Sequence, residues 1–226
     1  MSPSSDTDSP FFPRQKAKQA MPDYSREQIL AEKGAQWTAG IDEAGRGPLA
    51  GPVVAAAVIL DLGNIPDGLN DSKKLGGERR KILFDEILQS SQVAWCAAGP
   101  TEIDRINILQ ATLLAMTRAA YFLPVTPDAI LIDGRDVPAG LRRTGNAVIG
   151  GDAISQSIAA ASIVAKVVRD RIMTRAELVF PGYGFARNMG YGTKAHRDAI
   201  NNMGPCAIHR MSFSPMSSMT DLLAGI

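Results

Sequence analysis

Asp42 and Glu43 stand side by side at the end of an apolar run, and Gly45, Arg46 and Gly47 follow almost at once. Two carboxylates held that close repel each other unless a cation or a shared proton relieves them, which makes a divalent metal the first hypothesis. An extended strand sends neighbouring side chains to opposite faces. Both acids therefore serve one site only if the backbone bulges or kinks there, and the glycines make that easy. The pattern recurs twice. Asp133 closes the apolar run 129–132 and is followed by Gly134, and Asp152 comes after Val148, Ile149 and two glycines. Each acid alone has a plain explanation, Asp42 and Glu43 as a solvated turn and Asp152 as a helix N-cap. Three strand ends delivering acids to one edge of a sheet would instead form an oxygen-only cage, which favours magnesium or manganese over zinc.

The groups elsewhere in the chain suit such a cage. Ser72 and Lys73, in the loop segment 70–75, offer a hydroxyl and an ammonium to phosphate oxygens. In the stretch 180–196 glycines alternate with aromatics, and then Thr193, Lys194 and His196 arrive together. Aromatics in glycine loops serve as packing plugs or lie against a sugar or base. A cage of oxygens with hydroxyl, amine and aromatic loops around it points to phosphodiester hydrolysis assisted by two metals. The Gly-Arg-Gly turn also resembles a phosphate-cradling loop. It lacks the Gly-Lys-Ser/Thr ending of a nucleotide-binding P-loop, and a nucleotide-dependent kinase fits poorly.

The elements that must position these residues follow from periodicity. Residues 37–41 and 53–60 are apolar and β-rich, so the first pair of acids lies where a strand gives way to a turn. Further strands are expected over 92–98 and 128–133, and another approaches Asp152. Helices are expected over 25–33 with Ser25 as N-cap, over 78–90, over 103–122 as one long helix or a short and a long one, over 155–178, and over 194–202. The run Ala159–Ala161 lets the fourth of these pack closely on a sheet.

The chain of 226 residues suits one domain with a real core. A net charge of +1 gives no bulk electrostatic signal for nucleic acid, although Lys and Arg outnumber Asp and Glu from Ser162 onward. Cys96 and Cys206 lie far apart without metal-ligand spacing and read as reduced thiols, and only two histidines are present. No apolar run of about 18 residues and no signal peptide pattern is found, so a cytoplasmic location and no membrane association are expected. Residues 1–24 read as a disordered or loosely held tail, 25–213 as the catalytic domain, and 214–226 as a tail or short helix.

Six motifs in order, spanning about Trp37 to Phe213, closely resemble bacterial ribonuclease HII. They are the segments holding Asp42–Glu43 with the Gly-Arg-Gly turn, Asp71–Leu75, Ile132–Gly134, Gly151–Asp152 with the following alanine-rich helix, Gly190–His196, and Ile208–Phe213. The resemblance implies a ribonuclease H-like mixed α/β sheet flanked by helices, with a small C-terminal helical part. It implies that Asp42, Glu43, Asp133 and Asp152 are catalytic and hold Mg2+ or Mn2+, two ions in the active complex, while Asp170 has a structural or ion-pairing role. Gly45, Arg46 and Gly47 match the loop whose backbone senses a ribose 2′-hydroxyl, and Tyr191 matches the tyrosine that packs on the adjoining sugar. Ser72, Lys73, Thr193 and Lys194 match backbone-phosphate contacts. The implied activity is an endoribonuclease that cuts 5′ of a ribonucleotide in RNA·DNA hybrids, and at single ribonucleotides embedded in duplex DNA, leaving 3′-hydroxyl and 5′-phosphate ends. A monomer is expected. Two rivals stay open: a ribonuclease H-like nuclease on another nucleic acid, and a non-catalytic binding module.

Overall fold

The computed structural model describes residues 21–141 and 143–218. Five strands form one mixed sheet in the order β3-β2-β1-β4-β5: β1 (Thr38–Ala44), β2 (Val53–Leu60), β3 (Ser91–Ala98), β4 (Ala129–Asp133) and β5 (Gly145–Val148). β1, β2 and β3 run antiparallel to one another in turn, and β4 and β5 continue parallel to β1. A sheet covered on both faces reads as continuous apolar sequence, which is why β2, Val-Val-Ala-Ala-Ala-Val-Ile-Leu, is buried at every position.

Alternation sorts the two faces. Ala39, Ile41, Ala55, Ala57 and Ile132 pack with Ala111, Ala115 and Ala119 of α3 (Pro100–Tyr121). Ala56, Val58 and Leu60 pack on the other face with α2 (Gly77–Ser90) and α4 (Gln156–Val179), where Ala159, Ala160 and Ala161 bring the helix close. α3 is interrupted at Asn107, at φ 67° and ψ 165°, so the short-plus-long alternative holds. It begins three residues before the expected start, because Pro100 suits the first helical turn.

α1 (Ser25–Glu32) meets the start of α4, where its Glu27 accepts from Ser157 and its Leu30 clusters with Ile158. Ser25 is its first residue and not its cap, and the Asp23 carboxylate accepts from both the backbone N–H and the hydroxyl of Ser25. Residue 23 is tied down, since Gln156 N–H donates to its carbonyl at 3.1 Å. The rest of the expected N-terminal tail, residues 1–20, lies outside the described residues, as do 219–226. A second cluster forms the small C-terminal part, where Met173 of α4 meets Tyr183, Phe185 of α5 (Phe185–Asn188) and Ile200 of α6 (Lys194–Met203). Met216 is fully buried in it, so the packed region runs past Phe213.

Candidate active site

The site begins with two parallel strands. Ile41 of β1 pairs with Ile132 of β4, and one step beyond that pair stand Asp42 and Asp133. Two residues before Asp42, Gly40 packs against the backbone of Ser157, so alternation turns Asp42 toward the α4 side of the sheet. Asp152 reaches the same place from a 3-10 turn, Gly151–Ala153, that links β5 to α4. Carboxylate oxygens of Asp42, Asp133 and Asp152 lie within 4.8 Å of one another. Gly151 N–H donates to Asp133 Oδ1 at 2.7 Å, and Glu43 N–H to Asp42 Oδ1 at 2.7 Å. Asp152 does not cap α4; the Ser155 hydroxyl accepts from Ile158 N–H and does so instead.

Glu43 departs from expectation. The register of β1 on β2 runs unbroken from Gly40 to Ala44, so the expected bulge is absent. Regular alternation sends Glu43 to the face it shares with Ile41; it is not one of the three clustered acids, its Oε1 lies 3.5 Å from Arg46 Nη1, and the charge of Asp133 still reaches it. At the end of a strand it remains close enough for its charge to act on Asp42.

These carboxylates are poorly neutralised. Burial, then the charges of Glu43 and Asp133, push Asp42 well above the usual carboxylate range. Burial, with Asp133 and Asp71 beside it, pushes Asp152 up to about 6, against the pull of Lys73. Glu43 is raised by burial and opposed by Arg46. A buried cluster of acids that resists ionisation is a strong ligand for a small cation, and its oxygen-only donors suit magnesium or manganese.

The expected substrate groups divide. Gly45 lies flat on Arg169 at φ +98°, where a Cβ would sit 2.0 Å from Arg169 Nε. Tyr191 is exposed with its ring facing Gly47, 3.9 Å from where a Cβ would stand, so the turn and the tyrosine do face one opening. Lys73 is exposed, with Nζ 3.9 Å from Asp152 Oδ2. Ser72 is a correction. It is buried and its hydroxyl accepts from Ser162 at 2.8 Å, so it anchors the loop and offers no oxygen outward. Thr193 caps α6 by accepting from His196 N–H at 3.2 Å, and Lys194 pairs with Asp198 at 2.7 Å; both residues are exposed on the Tyr191 loop. Asp170 pairs with Lys166 at 2.8 Å, in keeping with its expected ion-pair role.

Three supports were not foreseen. Asp71 faces Asp152. Glu27 of α1, fully buried, accepts from Ser155 and Ser157 and so holds the chain just after Asp152. Arg169 and Arg210 are buried among the carbonyls of the glycine turn and the tyrosine loop. No periodicity marks a buried arginine or glutamate. The motifs 151–170 and 208–213 were the only signal that the two arginines mattered, and Glu27 lies outside every motif.

A mixed sheet flanked by helices, with acids gathered at the ends of neighbouring strands, defines a ribonuclease H-like enzyme. The profile described as Ribonuclease HII matches residues 39–216, and the chain belongs to that family. It is 55% identical over 202 residues to a ribonuclease HII of Rhizobium leguminosarum bv. trifolii, covering 89% of this chain and 88% of that one. It is 54% identical over 208 residues to that of Rhizobium meliloti, covering 92% and 95%. Among solved structures, ribonuclease H2 from Pyrococcus horikoshii superposes with a TM-score of 0.70 at 27% identity, covering 84% of this chain and all of that one. The chain is thus a ribonuclease H enzyme acting on nucleic acid. Among the described residues no helix is long and apolar enough to cross a membrane.

Proposed function

We propose that this enzyme cleaves the phosphodiester bond 5′ of a ribonucleotide, in RNA·DNA hybrids and at single ribonucleotides in duplex DNA, leaving 3′-hydroxyl and 5′-phosphate ends. The observation that carries this reading is the juxtaposition of two groups. The Asp42–Asp133–Asp152 cluster and the opening between Gly47 and Tyr191 lie at the same end of β1, where Gly47 follows Asp42 by five residues.

Asp42, Asp133 and Asp152 would hold Mg2+ or Mn2+, with Glu43 at the rim. Two such ions, when bound, activate a water and stabilise the leaving oxygen of an in-line displacement. Asp133 and Asp42 are held by Gly151 N–H and Glu43 N–H, and a carboxylate oxygen would take the water's proton. The turn 45–47 supports ribose sensing. Arg46 and Gly47 are exposed, and neither N–H finds an acceptor among the described residues, so both can donate to a 2′-hydroxyl. Tyr191 would lie on the neighbouring sugar, while Lys73, Thr193 and Lys194 would take backbone phosphates. The enzyme would act as a monomer, and the reaction would take place in the cytoplasm.

The test uses four DNA duplexes, each with a single rA, rC, rG or rU, together with all-deoxy and 2′-O-methyl controls. All four should be cut 5′ of the ribonucleotide at comparable rates. A site that hydrogen-bonds a hydroxyl rejects analogues lacking it by about 10⁴–10⁵-fold. Comparable cutting of the all-deoxy duplex, or strong preference for one base, refutes the reading.

A further inference from the structure

Two arginines are buried in this molecule beside the glycine turn, and neither has a carboxylate within ion-pairing distance among the described residues. Arg210 is fully buried. Its Nε donates to Gly51 O at 3.0 Å, its Nη1 to Arg46 O at 2.8 Å and its Nη2 to Gly45 O at 2.6 Å. Its guanidinium also lies 5.0 Å over the Phe213 ring. Arg169 fills the other side, donating to Ala50, Pro52 and Met189 carbonyls. A buried cation with carbonyls as its only hydrogen-bond partners is a costly way to hold a loop, since a neutral donor would do the same at less desolvation.

The carbonyls that Arg210 takes explain the arrangement. Gly45 C=O and Arg46 N–H belong to one peptide unit, and Arg46 C=O and Gly47 N–H belong to the next. A cation bonded to a peptide oxygen draws electron density from its nitrogen and strengthens the N–H on the far side as a donor. Neither of these N–H groups finds an acceptor among the described residues. The turn is thus fixed from behind at both oxygens and left free in front at both hydrogens.

We propose that Arg210 is a positioning residue for ribose recognition, its guanidinium orienting and polarising the Arg46 and Gly47 amides that meet the substrate hydroxyl. The inference rests on the reading of the turn 45–47 as the ribose sensor. A lysine cannot replace this arginine, because a single ammonium cannot bridge three carbonyls in the plane of a fork. Charge alone is not enough; the fork is the device.

The experiment compares wild type with Arg210→Lys on duplex DNA holding one ribonucleotide, with all-deoxy and 2′-O-methyl controls. The variant should keep KM within about 2-fold, because the phosphate contacts are untouched, and lose about 10²-fold in kcat through misplacement of the sugar. Its preference for the ribonucleotide over the deoxy control should shrink by roughly tenfold. In ¹⁵N-labelled protein the Arg46 and Gly47 amide protons should move upfield while those of Val54–Leu60 stay in place. A variant with wild-type kcat and preference, or one that loses kcat with its ribose preference and those two amide shifts intact, overturns the proposal. The second result would mean that Arg210 only braces the fold. If Arg210→Lys does not fold, wild type carries the test: hydrogen-bond scalar couplings from the Arg210 guanidinium to the Gly45 and Arg46 carbonyls must be present, and their absence overturns it. A wild type that does not distinguish the ribonucleotide duplex from the deoxy duplex sinks the ribose reading itself, which separates the two failures.

Discussion

Gly40 passes so close to Ser157 that a Cβ built on it would lie 2.1 Å from the Ser157 carbonyl carbon. This contact locks β1 to the first turn of α4. Asp42 lies two residues beyond Gly40 and Asp152 five residues before Ser157, so the same contact sets the spacing of two of the clustered acids. Neither partner can yield, because both are backbone. Gly40→Ala should therefore destabilise by about 3 kcal/mol, the upper end for overpacking, and lower kcat by about 100-fold by spreading the acids. Urea unfolding and single-turnover cleavage measure the two effects. A variant of wild-type stability would mean that the helix can shift off the strand.

Removing one acid should separate catalysis from stability. Asp42→Asn and Asp133→Asn should each lose more than about 100-fold in cleavage, beyond what changes outside the ligand shell cost. With chelator present, each should melt at or above the wild-type temperature, because one of the mutually repelling charges is gone. Substantial magnesium-supported cleavage by either variant would contradict the assignment of these residues.

The pH dependence of stability sets the raised carboxylates of the site, Asp152 with Asp42 and Glu43, against the buried histidine pair. Asp152 is held up to about 6 against an ordinary value of 3.8, so below pH 6 the folded state binds its proton first and stability rises as pH falls toward 4. The histidine pair acts in the other direction. His196 Nε2 and His209 Nε2 lie 3.1 Å apart, and burial followed by the His196 charge lowers His209 from 6.5 to about 4. The stability this pair contributes is complete above pH 6.5 and is lost as pH falls through that window. Chelated wild type should thus show a shallow melting profile between pH 7 and 4. Asp152→Asn should lose stability more steeply than wild type over the same range, since one of the raised carboxylates that oppose the histidine loss is gone while Asp42 and Glu43 remain. Parallel profiles for the two proteins would exclude this balance.

The sheet and its acids were legible because burial leaves a mark on sequence. A strand covered on both faces is written in aliphatic residues, and an acid at its end breaks that run, as Asp42 and Asp133 do. Gly40 as a close-approach glycine was not legible, since nothing around it indicates what will cross it. Asp42 and Glu43 were expected to share one side through a bulge. The unbroken pairing of β1 with β2 put them on opposite faces, because an even register over a buried face is hard to interrupt. Ser72 misled for a related reason. A serine beside lysines in a loop looks available, yet Ser162 on α4 takes its hydroxyl into the interior. Arg169 and Arg210 were invisible as buried groups because their partners are carbonyls, which every residue has.

Lys73 gives the last prediction. Its ammonium is exposed yet stands 3.9 Å from Asp152 Oδ2, between the acid cluster and solvent. Two roles are compatible with that place, and salt separates them. If Lys73 holds a substrate phosphate, Lys73→Ala should raise KM about equally for all four ribonucleotide duplexes. The slope of log affinity against log salt should also flatten by about 0.9, the release of one counterion. If it serves only to offset the charge of Asp152, the salt slope should stay unchanged, and the acidic limb of the rate profile should move to higher pH because Asp152 loses its neighbouring cation. The exposure of the side chain favours the first outcome, since an ammonium in water gives little at that distance to one carboxylate and is free to follow a phosphate. A change in which base is preferred would contradict both roles, because a point charge on the backbone carries no sequence information.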